Sequence, residues 1–425
     1  MNANNYSLID DYYVLVILLL VAGFSLWLLY LLRLRHYNLL KKYASWQNES
    51  QDIETATHDA LQEKDARLDG DYDYPFVSII VPTNERDKEL KGLLEALLKQ
   101  RYRGTFEVVI ADEDNRSELK DYVDYLRDEY PHLRYTFAPI SSRNIEKRKL
   151  ALTLGIKAAR GTWAIIVNAD CMPCDDCWLQ HYAQNLTDDL DFAQAYYNYE
   201  DDGSYVARRA IFERMTDYAG RLYAKDHNCV MGCNQSNWAV RKEWFFRQEG
   251  FVDSLQLAFG EEFLFATFHA EADKTAMLCS PTTALKESLP TRHALDALRV
   301  EEAELKHRAK SQFRFVNWNC HIASVATYLN ALSIIGYLIL RFVGNEGDWG
   351  AVWSAKYLSA DIVYVLLLVT SILLPIRQGR VGLKVLDEHM RGFYLFAYNL
   401  FRPWYTLTTT LRRWGHQRDF ERKYL

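Results

Sequence analysis

The sequence predicts an α/β domain built on a largely parallel sheet, bracketed by apolar segments of membrane-spanning length. Three observations carry this expectation. Short apolar runs alternate with helical patterns from residue 76 onward. Polar residues gather just after those runs, at the sheet edge where open α/β folds bind ligands. Residues 12–32 read YYVLVILLLVAGFSLWLLYLL, 21 residues without a charge, enough to cross a bilayer.

Composition narrows the class. A chain of 425 residues exceeds one ordinary core, so a main domain with additions is expected. With 49% hydrophobic and 25% charged residues it is not disordered. The net charge of −6, with no basic block, excludes nucleic acid as the expected partner. The 28 Tyr and 11 Trp suit a membrane interface or a sugar-stacking surface.

Taken in order, the first segment is an uncleaved anchor over 1–43. A signal peptide needs a basic leader, but residues 1–11 hold no Lys or Arg and end in Asp10 and Asp11. Arg33, Arg35, Lys41 and Lys42 follow the apolar run, which puts the N-terminus outside and the rest in the cytoplasm. Polar residues 44–74 read as a linker. A strand is expected at 76–81, closed by Pro82. Leu90, Leu93, Leu94, Leu97 and Leu98 then keep helical spacing, with Asp87 as the expected cap. Strands follow at 106–111, 134–138 and 163–168, separated by helices over about 116–129 and 150–159, the second stopped by Gly161. Four strands with helical crossovers imply a mostly parallel sheet.

The domain is expected to span 75–315. Two further apolar segments, 321–343 and 358–376, make up a pair of spans within 316–376. Arg377, Arg380 and Lys384 follow them, which returns the 377–425 tail to the cytoplasm. Asp361 lies near the outer end of the last span. Residues 391–413 are aromatic, contain Pro403 and carry flanking arginines, and so read as interfacial and not as a fourth span. Cys171, Cys174 and Cys177 form a CxxCxxC string at an expected helix start. It lacks a second matched pair, so free thiols are expected over a zinc or iron–sulfur site.

Candidate ligand-binding residues sit where strands end. Thr83 and Glu85 follow the first strand, Asp112 the second, and Asn168 and Asp170 the fourth. No GxGxxG or GxxxxGK[ST] occurs at these junctions, so neither a dinucleotide site nor a P-loop is supported. A lone carboxylate such as Asp170 suits a hard divalent cation that also holds phosphate oxygens.

FVSIIVPTNE (76–85), VVIADEDN (108–115), KLALTLGIKAARGTWAIIVNADCMP (149–173), GCNQSNWAVRK (232–242) and the Gly260-Glu261-Glu262 triplet resemble, in order and spacing, the GT-A domain of family 2 glycosyltransferases. The match runs over about 75–270, and the flanking spans resemble membrane-anchored bacterial members of the inner membrane. The resemblance implies a Rossmann-like GT-A fold. It also implies transfer of a sugar from a nucleotide-sugar to an acceptor hydroxyl, usually with inversion, and a divalent metal, Mg or Mn. By motif position, Asp170 matches the metal-binding carboxylate. Glu262 matches the general base, with adjacent Glu261 as the alternative register. Asp112, Thr83 and Glu85 match the nucleoside site, Lys149 a position near the diphosphate, and Asn237 and Arg241 the acceptor side.

Two departures matter. Asn168 stands where the family has the first Asp of DxD, and Glu262 stands where it usually has Asp. The processive-synthase QxxRW motif is absent, for 304–311 read ELKHRAKS with only Arg308 in rough register. The expected activity is therefore non-processive transfer to a lipid-linked or other glycan acceptor beside membrane lipids. A non-catalytic nucleotide-sugar-binding scaffold in a glycan-assembly complex is the alternative.

Overall fold

A computed structural model describes residues 17–18, 21–25, 27–28, 38–45, 74–84, 89–139, 146–255, 257–309, 325, 328–339 and 358–422. The expected first span, the linker, Asp87, Glu85 and the loop after the second apolar segment lie wholly or mostly outside these residues.

The first half alternates strand and helix: β1 (Val77–Thr83), α1 (Leu90–Leu98), β2 (Phe106–Asp112), α2 (Ser117–Arg127), β3 (Leu133–Phe137), α3 (Lys147–Ala158) and β4 (Trp163–Ile166). These strands are parallel and adjacent in the order β3-β2-β1-β4. The order reverses at β1, so β2 and β4 flank it and their loops diverge, opening a crevice at the carboxyl edge. Side-chain alternation fills both faces. Val77, Ile79 and Val81 pack with Leu93, Leu97 and Trp178 on one side, while Ile80 packs with Leu152, Ile156 and Phe265 on the other. The five leucines of α1 are all buried, which fixes that helix on the first face.

The sheet then continues with strands the sequence pattern did not single out. β5 (Cys171–Pro173) and α4 (Trp178–Ala183) are followed by β6 (Phe192–Ala195), β7 (Tyr197–Tyr199), the long α5 (Tyr205–Asp226) and β8 (Trp238–Arg241). Next come α6 (Lys242–Arg247), α7 (Glu261–His269), β9 (Thr275–Leu278), β10 (Leu285–Glu287) and α8 (Arg292–Arg308). The large sheet has seven strands, β3-β2-β1-β4-β8-β6-β9, with β8 antiparallel to both neighbours. A second sheet orders β5-β10-β7. The result is an α/β fold with a mostly parallel central sheet, as expected. The CxxCxxC string runs up to a helix start, as expected, with Cys177 the residue that precedes the first turn of α4. Its first member, Cys171, starts β5, and α4 follows directly after Cys177.

Two long helices close the described chain, α9 (Leu358–Val385) and α10 (Gly392–Arg422). The apolar run expected to end at 376 instead continues helically through Pro375 to Val385. Val365–Val385 is long and apolar enough to cross a membrane, and Tyr328–Ile339 is a shorter apolar helix. Leu366 and Leu373 are exposed on the first part of α9, whereas Leu383 and Leu386 at its end are buried with Leu395 of α10. The 38–45 helix buries Leu40 in the same cluster, so the basic flank packs onto the domain.

Gly260 sits at φ +75°, just before α7, and a Cβ there would lie 2.3 Å from a Leu305 methyl. Only glycine takes that left-handed backbone without strain. Gly260→Ala is expected to lower stability by about 1–3 kcal/mol and to displace the first turn of α7. An unchanged midpoint in calorimetric unfolding would contradict this.

Candidate functional site

β4 is buried along its whole length, and the chain turns immediately after it, with Cys171 N–H donating to Asn168 O at 3.1 Å. That turn carries Asn168 and Asp170 from the large sheet to the small one. It is pinned twice more. Asn168 N–H donates to Ser236 Oγ at 3.0 Å, and Ser288 N–H donates to Asp170 O at 3.2 Å. Asp170 is therefore a partly exposed carboxylate on a fixed loop at the crevice.

Glu261 and Glu262 approach from α7, each 1% exposed. Both lie in its first turn, where the helix dipole favours negative charge. Between them and β4 stands Arg148, on the first turn of α3. Its Nη2 donates to Asn168 Oδ1 at 2.8 Å and to Gln235 O at 3.4 Å. Its Nε lies 3.2 Å from Glu261 Oε1, an ion pair without hydrogen-bond alignment. Burial works against the Arg148 charge, but Glu262, Glu261, Glu113 and Asp170 outweigh it and raise its pKa.

Glu262 differs from its neighbour. Neither of its carboxylate oxygens has a hydrogen-bond partner among the described residues. Burial, and next the adjacent Glu261, push its pKa up to about 8, against the pull of Arg148. A buried carboxyl with free oxygens and a pKa near neutrality suits proton transfer.

The other expected residues divide. Thr83 and Asp112 pair across β1 and β2 at the same edge, and both are fully buried. Asp112 is saturated by protein donors. Its oxygens accept from Asp114 N–H, from Arg116 N–H and Nε, and from the Tyr135 hydroxyl. Asn237 stands at the crevice end of β8, at φ +62°, but its amide donates to Tyr196 O and Thr283 O. Arg241 is not brought to the site. Because β8 runs antiparallel to β4, Arg241 pairs with Trp163 at the far edge and donates to Leu190 O and Thr187 O. Lys149 also points elsewhere, its ammonium buried against Ser254 O and Leu257 O. One residue apart on α3, Lys149 and Arg148 face different sides, and it is Arg148 that reaches the crevice.

Among the described residues, no group of three or more His, Cys, Asp or Glu side chains converges as a metal cage. Asp170 is one carboxylate at the mouth, and Asn168 Oδ1 is engaged by Arg148. Such a set fits a magnesium-type ion that arrives with phosphate oxygens, since those ions need few protein ligands.

Residues 78–246 match the family model of glycosyl transferase family 2. Over that stretch the chain is similar to family 2 glycosyltransferases. Its α/β architecture is GT-A-like, and the five sequence motifs fall on β1, β2, the α3–β4 unit, β8 and α7. No curated protein sequence matches the chain. Among solved structures, the mannosyltransferase PcManGT from Pyrobaculum calidifontis, in complex with GDP-Man and Mn2+, is 16% identical with a TM-score of 0.45. That alignment covers 82% of this chain and 99% of that one. S. aureus TarS is 16% identical with a TM-score of 0.38, over 59% of this chain and 42% of that one. GalNAc-T7 with UDP, GalNAc and Mn2+ is 13% identical with a TM-score of 0.39, over 52% and 45% of the two chains.

Within the matched stretch, Arg148 is the residue the sequence pattern missed. Arg148→Gln leaves Glu261 and Glu262 side by side without their shared cation. The expected cost is about 3 kcal/mol, the lower end for orphaning a buried charge. Glu262 should then titrate at still higher pH, because Arg148 is what holds it down. The pH dependence of thermal unfolding measures both. Wild-type behaviour on both counts would show that the three groups do not interact.

Proposed function

We propose that this protein is an inverting, non-processive, metal-dependent glycosyltransferase that moves a sugar from a nucleotide-sugar to an acceptor hydroxyl at a membrane surface. The observation that carries the reading is the pair of unlike carboxylates: Asp170 partly exposed at the crevice, and Glu262 buried with neither oxygen hydrogen-bonded among the described residues.

The division of labour follows from their surroundings. Asp170 would hold a divalent ion with the donor diphosphate, with Thr83, Glu85, Asp112 and Asn168 bordering the nucleotide. When bound there, such an ion would offset the negative charge that grows on the leaving diphosphate. Arg148 takes the cationic role the motif pattern assigned to Lys149, next to Asn168. The acceptor hydroxyl approaches from the α7 side, over the loop that holds Asn237. Glu262 removes its proton as it attacks, and Arg148 with the helix dipole limits the cost of the charge Glu262 carries before that step. Glu261 is engaged by Arg148, which leaves Glu262 as the base.

The catalytic domain, about 75–315, is proposed to lie on the cytoplasmic face of a bacterial inner membrane. Its anchors would be 12–32 and the two apolar segments near 321–343 and 358–385. Three features support this. Val365–Val385 has the length and hydropathy of a span. Leu332, Ile335 and Ile339 present exposed apolar side chains on the shorter helix. On α10, Phe401, Trp404, Leu407, Leu411 and Trp414 form one exposed apolar face, as in helices that lie in a membrane interface. A cysteine engineered at 344–356 is expected to react with an impermeant thiol reagent in intact cells, while Cys174 in the domain stays protected. The reverse pattern would overturn the orientation.

The transfer reading itself is tested by incubating purified protein with Mn²⁺, a panel of nucleotide-sugars and a lipid-linked acceptor pool. Transfer from one donor, lost on chelation and restored by metal, is expected. Binding of a nucleoside diphosphate with no turnover across the panel would favour the scaffold reading.

A further inference from the structure

Next to the carboxylate crevice lies a cavity of about 390 Å³ between α5, α8 and α10. Its charge is lopsided. Arg209, Arg214, Arg299, Lys306, Arg402 and Arg413 line it, against only Glu213, Asp217 and Glu302, a surplus of three positive charges. Much of the surplus is met from outside, for Arg214 pairs with Glu287 at 2.6 Å, Arg299 with Asp296 at 3.0 Å and Arg413 with Glu304 at 3.2 Å. Within the cavity, Arg209 and Arg299 share one acid, Glu213, at 2.8 and 2.7 Å. Arg402 has neither an ion pair nor a side-chain hydrogen bond among the described residues.

Two connections join this cavity to the crevice. Asn234 lines it, while the next residues, Gln235 and Ser236, contact Arg148 and Asn168. On the other wall, Arg214 holds Glu287, and its neighbour Ser288 donates to Asp170 O. Each wall is thus one or two residues from a group at the candidate catalytic centre. A third feature is the two-sidedness of α10. Arg402, Tyr405, Thr406, Thr409 and Arg413 face the cavity, whereas Trp404, Leu407, Leu411 and Trp414 face outward as exposed apolar side chains.

We propose that this cavity binds the phosphate or diphosphate group of the acceptor. The inference rests on the transferase reading for its word acceptor, but not for the anion site itself. Guanidinium groups gathered in a partly desolvated cleft, with Arg402 lacking an acidic partner among the described residues, select phosphate by charge and by their planar donor geometry. The distance to Glu262 is then spanned by the rest of the acceptor, whose hydroxyl reaches the base. The phosphate can belong to a lipid carrier whose chain lies along the outer face of α10, or to a soluble phosphorylated sugar.

The test uses full-length protein in detergent with EDTA present, so that no metal-dependent donor binding contributes. Farnesyl phosphate and glucose 1-phosphate are titrated separately by calorimetry. Wild type is expected to bind at least one of them. Arg402→Gln and Arg209→Gln should each weaken that binding about tenfold, the worth of one charge-assisted hydrogen bond. Arg402→Lys should recover most of it. Binding of a nucleoside diphosphate with Mn²⁺ is measured on every variant as the control for folding and for the donor site, and should not change. Tighter binding of farnesyl phosphate identifies a lipid carrier, and equal or tighter binding of glucose 1-phosphate a soluble one. The proposal is overturned if neither probe binds, or if Arg402→Gln, which removes no ion pair or side-chain hydrogen bond among the described residues, leaves binding unaltered. If the cavity binds phosphate as expected while the donor panel yields no transfer, the site stands and the transferase reading falls.

Discussion

Glu262→Gln should lower the transfer rate constant by about 10²–10⁴-fold while leaving donor affinity nearly unchanged. Gln keeps the size of the side chain and fills the same buried space, but its amide does not accept a proton at neutral pH. Donor affinity is spared because Glu262 faces the proposed acceptor path, whereas the diphosphate is assigned to Asp170. Glu261→Gln is the paired control. It removes the carboxylate that Arg148 engages, so it should disturb stability more than chemistry. A large rate loss in Glu261→Gln alone would move the base by one residue. Full activity in both variants would end the general-base mechanism at this turn.

The same carboxyl gives a pH signature. Glu262 titrates near 8 in the fold, above its ordinary value of 4.5. The folded chain therefore holds a proton that the unfolded chain has released, over the interval between those two values. Stability contributed by this group is complete below about pH 4.5 and declines as pH rises toward 8. Activity runs the other way, because the base works only once deprotonated, and the rate should climb through the same interval. Glu262→Gln should flatten the stability slope.

Asp170→Ala is the second large effect. Transfer should fall to the limit of detection, with the unfolding midpoint close to wild type. The carboxylate is partly exposed, and the loop is held by backbone bonds through Asn168 and Ser288 that the substitution leaves intact. Asn168 does not replace it, being neutral and already hydrogen-bonded to Arg148. Nucleoside diphosphate affinity in Mn²⁺ should drop with the activity, while affinity in EDTA stays where it was. A variant with near-wild-type turnover at saturating metal would remove Asp170 from the mechanism.

The parallel half of the sheet was legible because its strands are continuous apolar runs and its helices carry leucines at helical spacing. The boundaries moved by at most three residues, as with β1 at Val77–Thr83 against the expected 76–81 and α3 at Lys147–Ala158 against 150–159. β6, β8 and β9 were not legible, being four residues each and buried on both faces. Their short runs carry no period. That gap cost the site two assignments. Without knowing that β8 is an antiparallel strand, nothing separates Asn237 at the crevice end from Arg241 at the far edge. In the KRK run at 147–149, composition does not say which cation turns inward, since helical rotation decides it. The two acidic residues after Gly260 were visible as a motif. Their inequality was not, because it arises from Arg148, which lies 113 residues earlier in the chain. The cavity beneath α10 depends on three helices meeting, and no single segment announces it.

In the proposed mechanism the reacting diphosphate and its metal sit on Asp170, across the crevice from Glu262. Crystals soaked with Mn²⁺ and a nucleoside diphosphate, measured at the manganese absorption edge, test it directly. An anomalous peak is expected within coordination distance of the Asp170 carboxylate, about 2–2.5 Å, with the phosphates on its far side and Glu262 free of metal. A peak bound by Glu261 and Glu262, or no peak at Asp170 with the nucleotide clearly bound, would contradict it.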